Sequence, residues 1–412
     1  MATIKPFKGI RPKPEYAKDV AALPYDVMSS NEAREMTAGN PLSFLHVDKS
    51  EIDLDPSIDI YDQQVYEKAR DNLNKMVANG YLAQDAKPML YIYRLIMDGR
   101  EQTGLVVCTS IDEYINGIIK KHELTREDKE QDRIRHVDLC NANTGPIFLA
   151  YRARTDINAL LDNWTSNHKP ETNFVADDGI THQVWPIDDS AVITQLQKAF
   201  EAVPNLYIAD GHHRNASAVK VGQMRRQANP GYSADARFNF YLSVVFPDDQ
   251  LYIMDYNRVV KDLNGLTEEQ FITKLKQSFL VEPAQNGHPA KKRSFGMYLS
   301  GKWYMLTVKP ELVPEDPVEA LDVSILQNQL LGPVLGIDDP RTSKRIGFVG
   351  GMRGLKELES KVNSKKVQVA FALCPTSMDE LLSVADADKI MPPKSTWFEP
   401  KLRSGLFIHS LE

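Results

Sequence analysis

Residues 205–215 read Asn-Leu-Tyr-Ile-Ala-Asp-Gly-His-His-Arg-Asn, and the rest of the chain is best understood from this stretch. Leu206, Tyr207, Ile208 and Ala209 form an apolar run of strand length. Asp210, Gly211, His212, His213 and Arg214 follow, all polar or glycine, and Ala216, Ala218, Val219 and Met224 then recur on one side of a helix. The cluster is therefore expected on a strand-to-helix turn. There a helix N-terminus offers unpaired N–H groups and a partial positive charge to an anion. Gly211 lets the backbone turn sharply or approach a ligand closely. Arg214 can fork onto a phosphate, and Asp210 can hold a metal ion such as Mg2+. A polar surface turn is the plainer alternative, and four functional side chains gathered at one strand end argue against it. Successive helical residues point about 100° apart, so His212 and His213 are expected to do different jobs. A zinc site there would need ligands that the local sequence does not supply at the usual spacing.

The chain has 412 residues, enough for two or three domains. A hydrophobic content of 42% and a charged content of 25% are ordinary for a soluble globular protein. The net charge of −7 argues against a general nucleic-acid or membrane-surface binder. Cys108, Cys140 and Cys374 are isolated, fit neither a disulfide framework nor a zinc site, and suit a reducing cytosol. With no apolar signal core and no run of membrane-spanning length, a cytoplasmic location is expected. The oligomeric state is left open.

Helical and strand patterns mix without a regular βαβ rhythm, which favours an α+β (mixed α/β) fold over a Rossmann fold. Residues 1–59 are rich in proline and turns, with Ser30 a candidate cap for a helix containing Glu32, Ala33 and Met36. Tyr61, Val65, Ala69, Leu73 and Met76 predict a helix over 60–79, ended by Gly80. Asp98-Gly99 between apolar runs predicts a hairpin of 89–96 with 103–110. The charged segment 126–135 reads as a helix with Arg133 and Arg135 on a solvated face. Residues 146–151 read as a strand and 156–165 and 190–202 as helices, and the long apolar strand 238–246 is expected to pair with 251–254. Thr267 and Gln270 form a capping box. A second hairpin joins 295–299 to 303–308; a helix over 320–332, a strand over 367–373 and a helix over 378–385 follow. These elements group into an N-terminal α+β segment (1–110), a core carrying the turn (111–262) and a C-terminal α+β domain (263–412).

The common phosphate loops, GxxxxGK[ST] and a GxGxxG after a strand, are absent, as is the protein-kinase signature set. A nucleotide would have to be cradled at the turn. Glu123, in the pair His122-Glu123, lies between an apolar segment and the charged helix. A carboxylate facing a cleft there can take a proton from a hydroxyl, and a solvated glutamate at a helix start is the competing reading. Tyr256-Asn257-Arg258 either lines the same cleft or simply closes a strand. Lys394, Lys401 and Arg403 surround Ser395 and Thr396 in a basic tail that either closes over an anionic ligand or packs on the core. Arg341, Lys344 and Arg345 read as surface charge.

The stretch Ile208-Ala209-Asp210-Gly211-His212-His213-Arg214 resembles the signature of the ParB/sulfiredoxin-like superfamily, in the form found in free-serine kinases, which phosphorylate L-serine. Those kinases share with this chain, in the same order, a His-Glu pair (His122-Glu123), a charged helix (126–135), a Pro-Ile strand (Pro146-Ile147) and the turn (Asp210 to Arg214). The stretch between Pro146 and Asp210 is much longer here, which implies an insertion. Nearly the full chain also resembles a widespread bacterial and archaeal family labelled as a domain of unknown function. Its marks are LPYDV at 23–27, Asn40-Pro41 to His46, the DGHHR turn, Tyr256-Asn257-Arg258, and MPPKSTWFEPKLRSG at 391–405.

The kinase resemblance implies a ParB/sulfiredoxin-like central domain flanked by N- and C-terminal α+β segments. It implies transfer of a phosphoryl group from ATP or ADP, with Mg2+, to free L-serine. Glu123 would be the general base, Asp210 would bind Mg2+ or orient the hydroxyl, and Gly211, His212, His213 and Arg214 would hold the phosphates. His122, Asn257, Arg258 and Lys394 are further candidates for the substrate or cleft. The alternative is a nucleotide-binding regulatory protein without kinase activity, since ParB relatives use CTP as a switch on DNA. The acidic charge and the absence of a helix-turn-helix signal count against DNA. A sulfiredoxin-like reductase would need a cysteine in the turn, where this chain has His212.

Overall fold

Asp98 and Gly99 both take positive φ, 52° and 76°, as the tight hairpin turn of this sequence requires, and the strands on either side fold back on each other. The computed structural model describes residues 1–412. Its hairpin lies inside a nine-stranded mixed sheet made of β1 (Ile4–Lys5), β2 (Leu90–Met97), β3 (Arg100–Ser110), β4 (Ile119–Lys120), β5 (Ile147–Tyr151), β6 (Thr172–Val175), β7 (Thr181–Ile187), β8 (Leu206–Asp210) and β9 (Phe240–Pro247). The strand order is β4-β8-β5-β9-β3-β2-β7-β6, with β1 added against β3. The pairs β4–β8 and β5–β9 are parallel and the others antiparallel.

The helices of the same unit carry apolar residues that recur every three or four positions. They are α1 (Ser30–Met36), α2 (Gln63–Ala78), α3 (Glu127–Cys140), α4 (Thr155–Asn167), α5 (Ser190–Phe200) and α6 (His212–Ala228). Ile157, Leu161 and Trp164 of α4 and Ile193, Leu196 and Phe200 of α5 bury against Leu105, Val107, Leu149 and Ile208 of the sheet. Each such side chain contributes about 1.5–3 kcal/mol relative to exposure. Val65, Ala69, Leu73 and Met76 of α2 are buried, and Ala69, Leu73 and Met76 pack with Val20, Phe44 and Leu45 of the N-terminal segment. No helix is long and apolar enough to cross a membrane. The three cysteines are free.

The chain forms two compact units, Met1–Leu251 with Pro400–Glu412, and Tyr252–Glu399. The three-part division expected from sequence differs. A cut after residue 110 falls at the end of β3, which pairs with β1, β2 and β9 in one sheet, so it separates no two cores. The second unit carries a six-stranded antiparallel sheet of β10 (Tyr256–Val260), β11 (Phe279–Ala284), β12 (Ser294–Leu299), β13 (Lys302–Val308), β14 (Ile346–Gly350) and β15 (Val369–Leu373), in the order β11-β13-β12-β15-β10-β14. Its helices α7 (Glu268–Leu275) and α9 (Met378–Asp386), separated by α8 (Gly354–Asn363), each begin with a capping box, Thr267 with Gln270 and Ser377 with Glu380.

Three local expectations change, and one hairpin is new. Ser29, not Ser30, caps α1, because its side chain accepts the Glu32 N–H while Glu32 returns to the Ser29 N–H. Residues 251–254 do not pair with β9, whose two sides are filled by β3 and β5; Tyr252–Ile253 pairs with Phe398–Glu399 instead. The helix expected over 320–332 is Asp322–Leu326, continued by a wider π turn at Gln327–Leu331. The β6–β7 hairpin lies in a stretch for which the sequence reading made no assignment.

Candidate active site

The five residues Asp210 to Arg214 straddle the junction of β8 and α6. Leu206 to Ala209 are buried, so the strand runs through the core and delivers Asp210 to the edge of the sheet. Gly211 is the helix N-cap at φ +90°, in the left-handed region that favours glycine. A Cβ there would also lie 3.2 Å from the Arg214 Nε, so glycine lets the guanidinium close over the turn. His212, His213 and Arg214 form the first helical turn, where the amide N–H groups have no intrahelical acceptor. Arg214 donates from Nη1 to the Pro146 carbonyl at 2.8 Å, just before β5, and its Nε is buried without a partner.

Parallel pairing brings the second candidate alongside. Ile119 and Lys120 of β4 register with Leu206 and Tyr207 of β8, so both strands run out at the same sheet edge. His122 and Glu123 thereby meet the turn. The His122 N–H donates a long hydrogen bond, 3.5 Å, to His212 Nε2, and the two rings pack edge to face at 4.5 Å. Glu123 Oε2 lies 3.8 Å from His212 Nδ1, with the glutamate side chain 45% exposed and the histidine 5%. Because Nε2 is the acceptor, the proton sits on Nδ1 and faces the carboxylate. His213 turns the other way, its Nε2 receiving the Arg126 N–H at 3.0 Å at the start of α3. The two adjacent histidines do have different partners.

Burial lowers His122 to about 4 and drives His212 well below the usual histidine value, with His122 adding to the effect on His212. Both rings are neutral at pH 7, so Glu123 is not held by an imidazolium. Neither His122 ring nitrogen makes a hydrogen bond of good geometry. Burial also works against the Asp210 charge, but Lys401 and Arg214 outweigh it and hold this carboxylate well below the ordinary range. Asp210 Oδ1 accepts the Gly211 N–H at 2.8 Å and Oδ2 accepts Lys401 Nζ at 2.9 Å.

These contacts bear on metal binding. Asp210 Oδ2 carries the Lys401 ammonium, so Mg2+ held by this carboxylate would share it with that cation. His122, Glu123 and His212 offer ligand atoms within 4.8 Å of one another. Two nitrogens and a carboxylate suit Zn2+, Mn2+ or Fe2+ rather than Mg2+. At 3.8 Å, His212 Nδ1 and Glu123 Oε2 stand outside hydrogen-bond distance of each other.

Arg133 overturns the solvated-face expectation. It is buried, donates from Nε to Asp132 at 2.9 Å and lies 4.1 Å over the Tyr25 ring. Asp132 also accepts the Tyr66 hydroxyl, and Thr144 donates to Asp48 at 2.9 Å. Arg214, Arg133, Tyr25, Asp48 and Thr144 line a cavity of about 20 Å³, room for roughly one water. Arg135 is exposed, as expected. A larger groove of about 400 Å³ between α3 and α6 is lined by Ile134, Arg135, Lys220 and Met224 and holds none of the turn residues.

Asn257, Arg258 and Lys394 belong to the second unit. Tyr256 opens β10 rather than closing a strand. Asn257 is fully buried and accepts the Leu373 N–H at 3.0 Å; Arg258 donates to the carbonyls of Tyr256 and, at 2.9 Å, Lys394.

Fold and site together define an α+β protein with a glycine-capped strand-to-helix turn beside a half-exposed carboxylate. The chain belongs to the DUF1015 family, described as proteins of unknown function, whose model matches residues 4–324. The tail mark at 391–405 lies beyond that match. None of the curated proteins compared with the chain matches it. Among solved structures, a free serine kinase variant in complex with AMP is similar at 12% identity and a TM-score of 0.36, over 72% of this chain and 87% of that one. A conserved hypothetical protein from Pyrococcus furiosus is similar at 15% identity and a TM-score of 0.34, over 73% and 93%. C-terminally truncated SbnI from Staphylococcus aureus is similar at 11% identity and a TM-score of 0.37, over 71% and 82%.

Proposed function

We propose that the protein is a nucleotide-dependent small-molecule kinase of the ParB/sulfiredoxin-like type that phosphorylates free L-serine from ATP or ADP. The observation that carries this reading is the half-exposed Glu123 carboxylate 3.8 Å from His212, in the first turn of α6. A base and an anion-binding helix start at one sheet edge are the two halves that phosphoryl transfer to a hydroxyl needs.

On this reading the nucleotide phosphates lie on the N–H groups of residues 211–214 and on Arg214. Glu123 takes the proton from the serine hydroxyl as its oxygen bonds to the terminal phosphorus. The bond from that phosphorus to the bridging oxygen breaks, and the shortened nucleotide leaves with the electron pair. Burial keeps the rings of His122 and His212 neutral, so neither places an imidazolium beside Glu123. Asp210 fixes the turn through the Gly211 N–H. Mg2+, which neutralises phosphate charge, comes with the nucleotide, the usual way this ion is held.

The test is incubation of the purified chain with L-serine, Mg2+ and either nucleotide, followed by detection of O-phosphoserine. Absence of phosphoserine with both nucleotides, together with no nucleotide binding by calorimetry, overturns the reading.

A further inference from the structure

We propose that Lys401, brought back to the first unit by the C-terminal tail, is a ligand-binding residue of this site and supplies the cation that grips the terminal phosphates of a nucleotide. The inference rests on the kinase reading and names a residue outside the region matched by the family. Lys401 Nζ lies 2.9 Å from Asp210 Oδ2, across 191 positions of sequence, and its side chain is only 10% exposed.

The tail that delivers it is built into the unit. Arg403, buried, donates to Asp178 and, at 3.3 Å, to His182 Nε2. His182 Nδ1 therefore carries the proton, and it faces the Tyr93 hydroxyl at 2.8 Å. Ser404 exchanges main-chain hydrogen bonds with Ala22, and His409–Ser410 pairs with Ala142–Asn143. Lysine gives up rotamer freedom and hydration when held this way. A lysine fixed so firmly against the DGHHR turn is therefore not a stray surface charge.

The chemistry at the turn explains what it is for. The chain has no Walker loop, so no P-loop lysine can reach the outer phosphates. Lys401 Nζ lies on Asp210, the residue just before the Gly211 N-cap of α6. Its ammonium is a compact charge on a flexible stem, able to turn from Asp210 to a phosphate while the main chain stays in place. Asp210 keeps its bond to the Gly211 N–H meanwhile. Asp210 is 30% exposed, so an anion can approach the pair from solvent.

The experiment is calorimetric titration of the full chain with adenosine, AMP, ADP and ATP in Mg2+, comparing wild type, Lys401→Met and Lys401→Arg. Lys401→Met is expected to weaken ADP and ATP by about 10-fold or more, the size of one charge-assisted hydrogen bond, and to leave adenosine unchanged. Unchanged ATP affinity overturns the inference. So does an equal loss for adenosine and ATP, which is the mark of a purely structural lysine. If Lys401→Met fails to fold, Lys401→Arg decides: a shift in ATP-over-adenosine selectivity supports the inference and unchanged selectivity overturns it. A wild-type chain that binds no nucleotide overturns the kinase reading itself, and this inference with it.

Discussion

Arg214 in the first unit and Arg258 in the second are both guanidiniums anchored to main-chain carbonyls, Arg214 to Pro146 and Arg258 to Tyr256 and Lys394. Their surroundings differ. Arg214 stands in the first turn of a helix, acts electrostatically on the Asp210 carboxylate and keeps a donor without a partner. Arg258 is 4% exposed, lies over the rings of Tyr256 and Phe348, and is lowered to about 10 by burial, with no carboxylate in salt-bridge contact. A cation with a spare donor at a helix N-terminus can receive an anion. A cation committed to the carbonyls of its own strand and of a distant segment ties the two together. Residue type alone does not separate the two roles; what remains unbonded does.

The largest expected effect lies at the open site. Glu123→Gln should lower phosphoserine formation by about 10²–10⁴-fold, the range for loss of a general base, with the melting temperature unchanged because this side chain is half exposed. Equal turnover in the variant would remove Glu123 from the chemistry. At the closed site the effect falls on stability. Arg258→Ala should destabilise the second unit by roughly 2–4 kcal/mol in urea unfolding, since it strips buried carbonyls of charged donors. A loss below about 0.5 kcal/mol, typical of surface positions, would show that those bonds do not hold β10.

Two buried histidines of the first unit and one buried carboxyl of the second titrate with opposite sign. His122 and His212 have folded values below the ordinary 6.5, so the folded state resists protonation. Their contribution is complete above that pH and is lost as pH falls from about 6.5 toward about 4, by up to about 1.4 kcal/mol per pH unit for each group. Asp322 in the second unit is pushed up from 3.8 to about 6 by burial, so its contribution is lost as pH rises through that interval. Thermal melts between pH 4 and 7 check this. His122→Gln should flatten the acid limb of the first unit, and Asp322→Asn the opposite slope of the second. The smallest effect is at the turn itself. Gly211→Ala should cost about 1–2 kcal/mol of left-handed strain and weaken nucleotide binding by pushing on Arg214. Unaltered binding would mean that Arg214 need not lie close over the glycine.

What the sequence revealed follows the same line between local and distant contacts. The strand read at 206–209, which runs on to Asp210, both hairpin turns and the Thr267 cap rest on residues a few positions apart, and each is present. The chain's α+β character follows from those local patterns. Contacts across long separations are another matter. The pairing of β4 with β8 involves two registered residue pairs, too short for any periodicity, yet it alone brings Glu123 to His212. Arg133 reads as solvated on a charged helix because Tyr25, which covers it, comes from far upstream. Lys401 sits in a basic tail whose partner Asp210 cannot be guessed from spacing. One omission was avoidable: Asp178-Gly179, with Gly179 at φ +81°, marks the β6–β7 turn in the same way as Asp98-Gly99.

The claim that phosphates are held at Gly211 to Arg214 is tested most directly by a crystal structure of the chain with ADP and Mg2+. The account expects the terminal phosphate within hydrogen-bond distance of the N–H groups at 211–214 and of Arg214, with Glu123 facing it. Phosphates bound elsewhere, with Arg214 still on the Pro146 carbonyl and no anion at the start of α6, would contradict it.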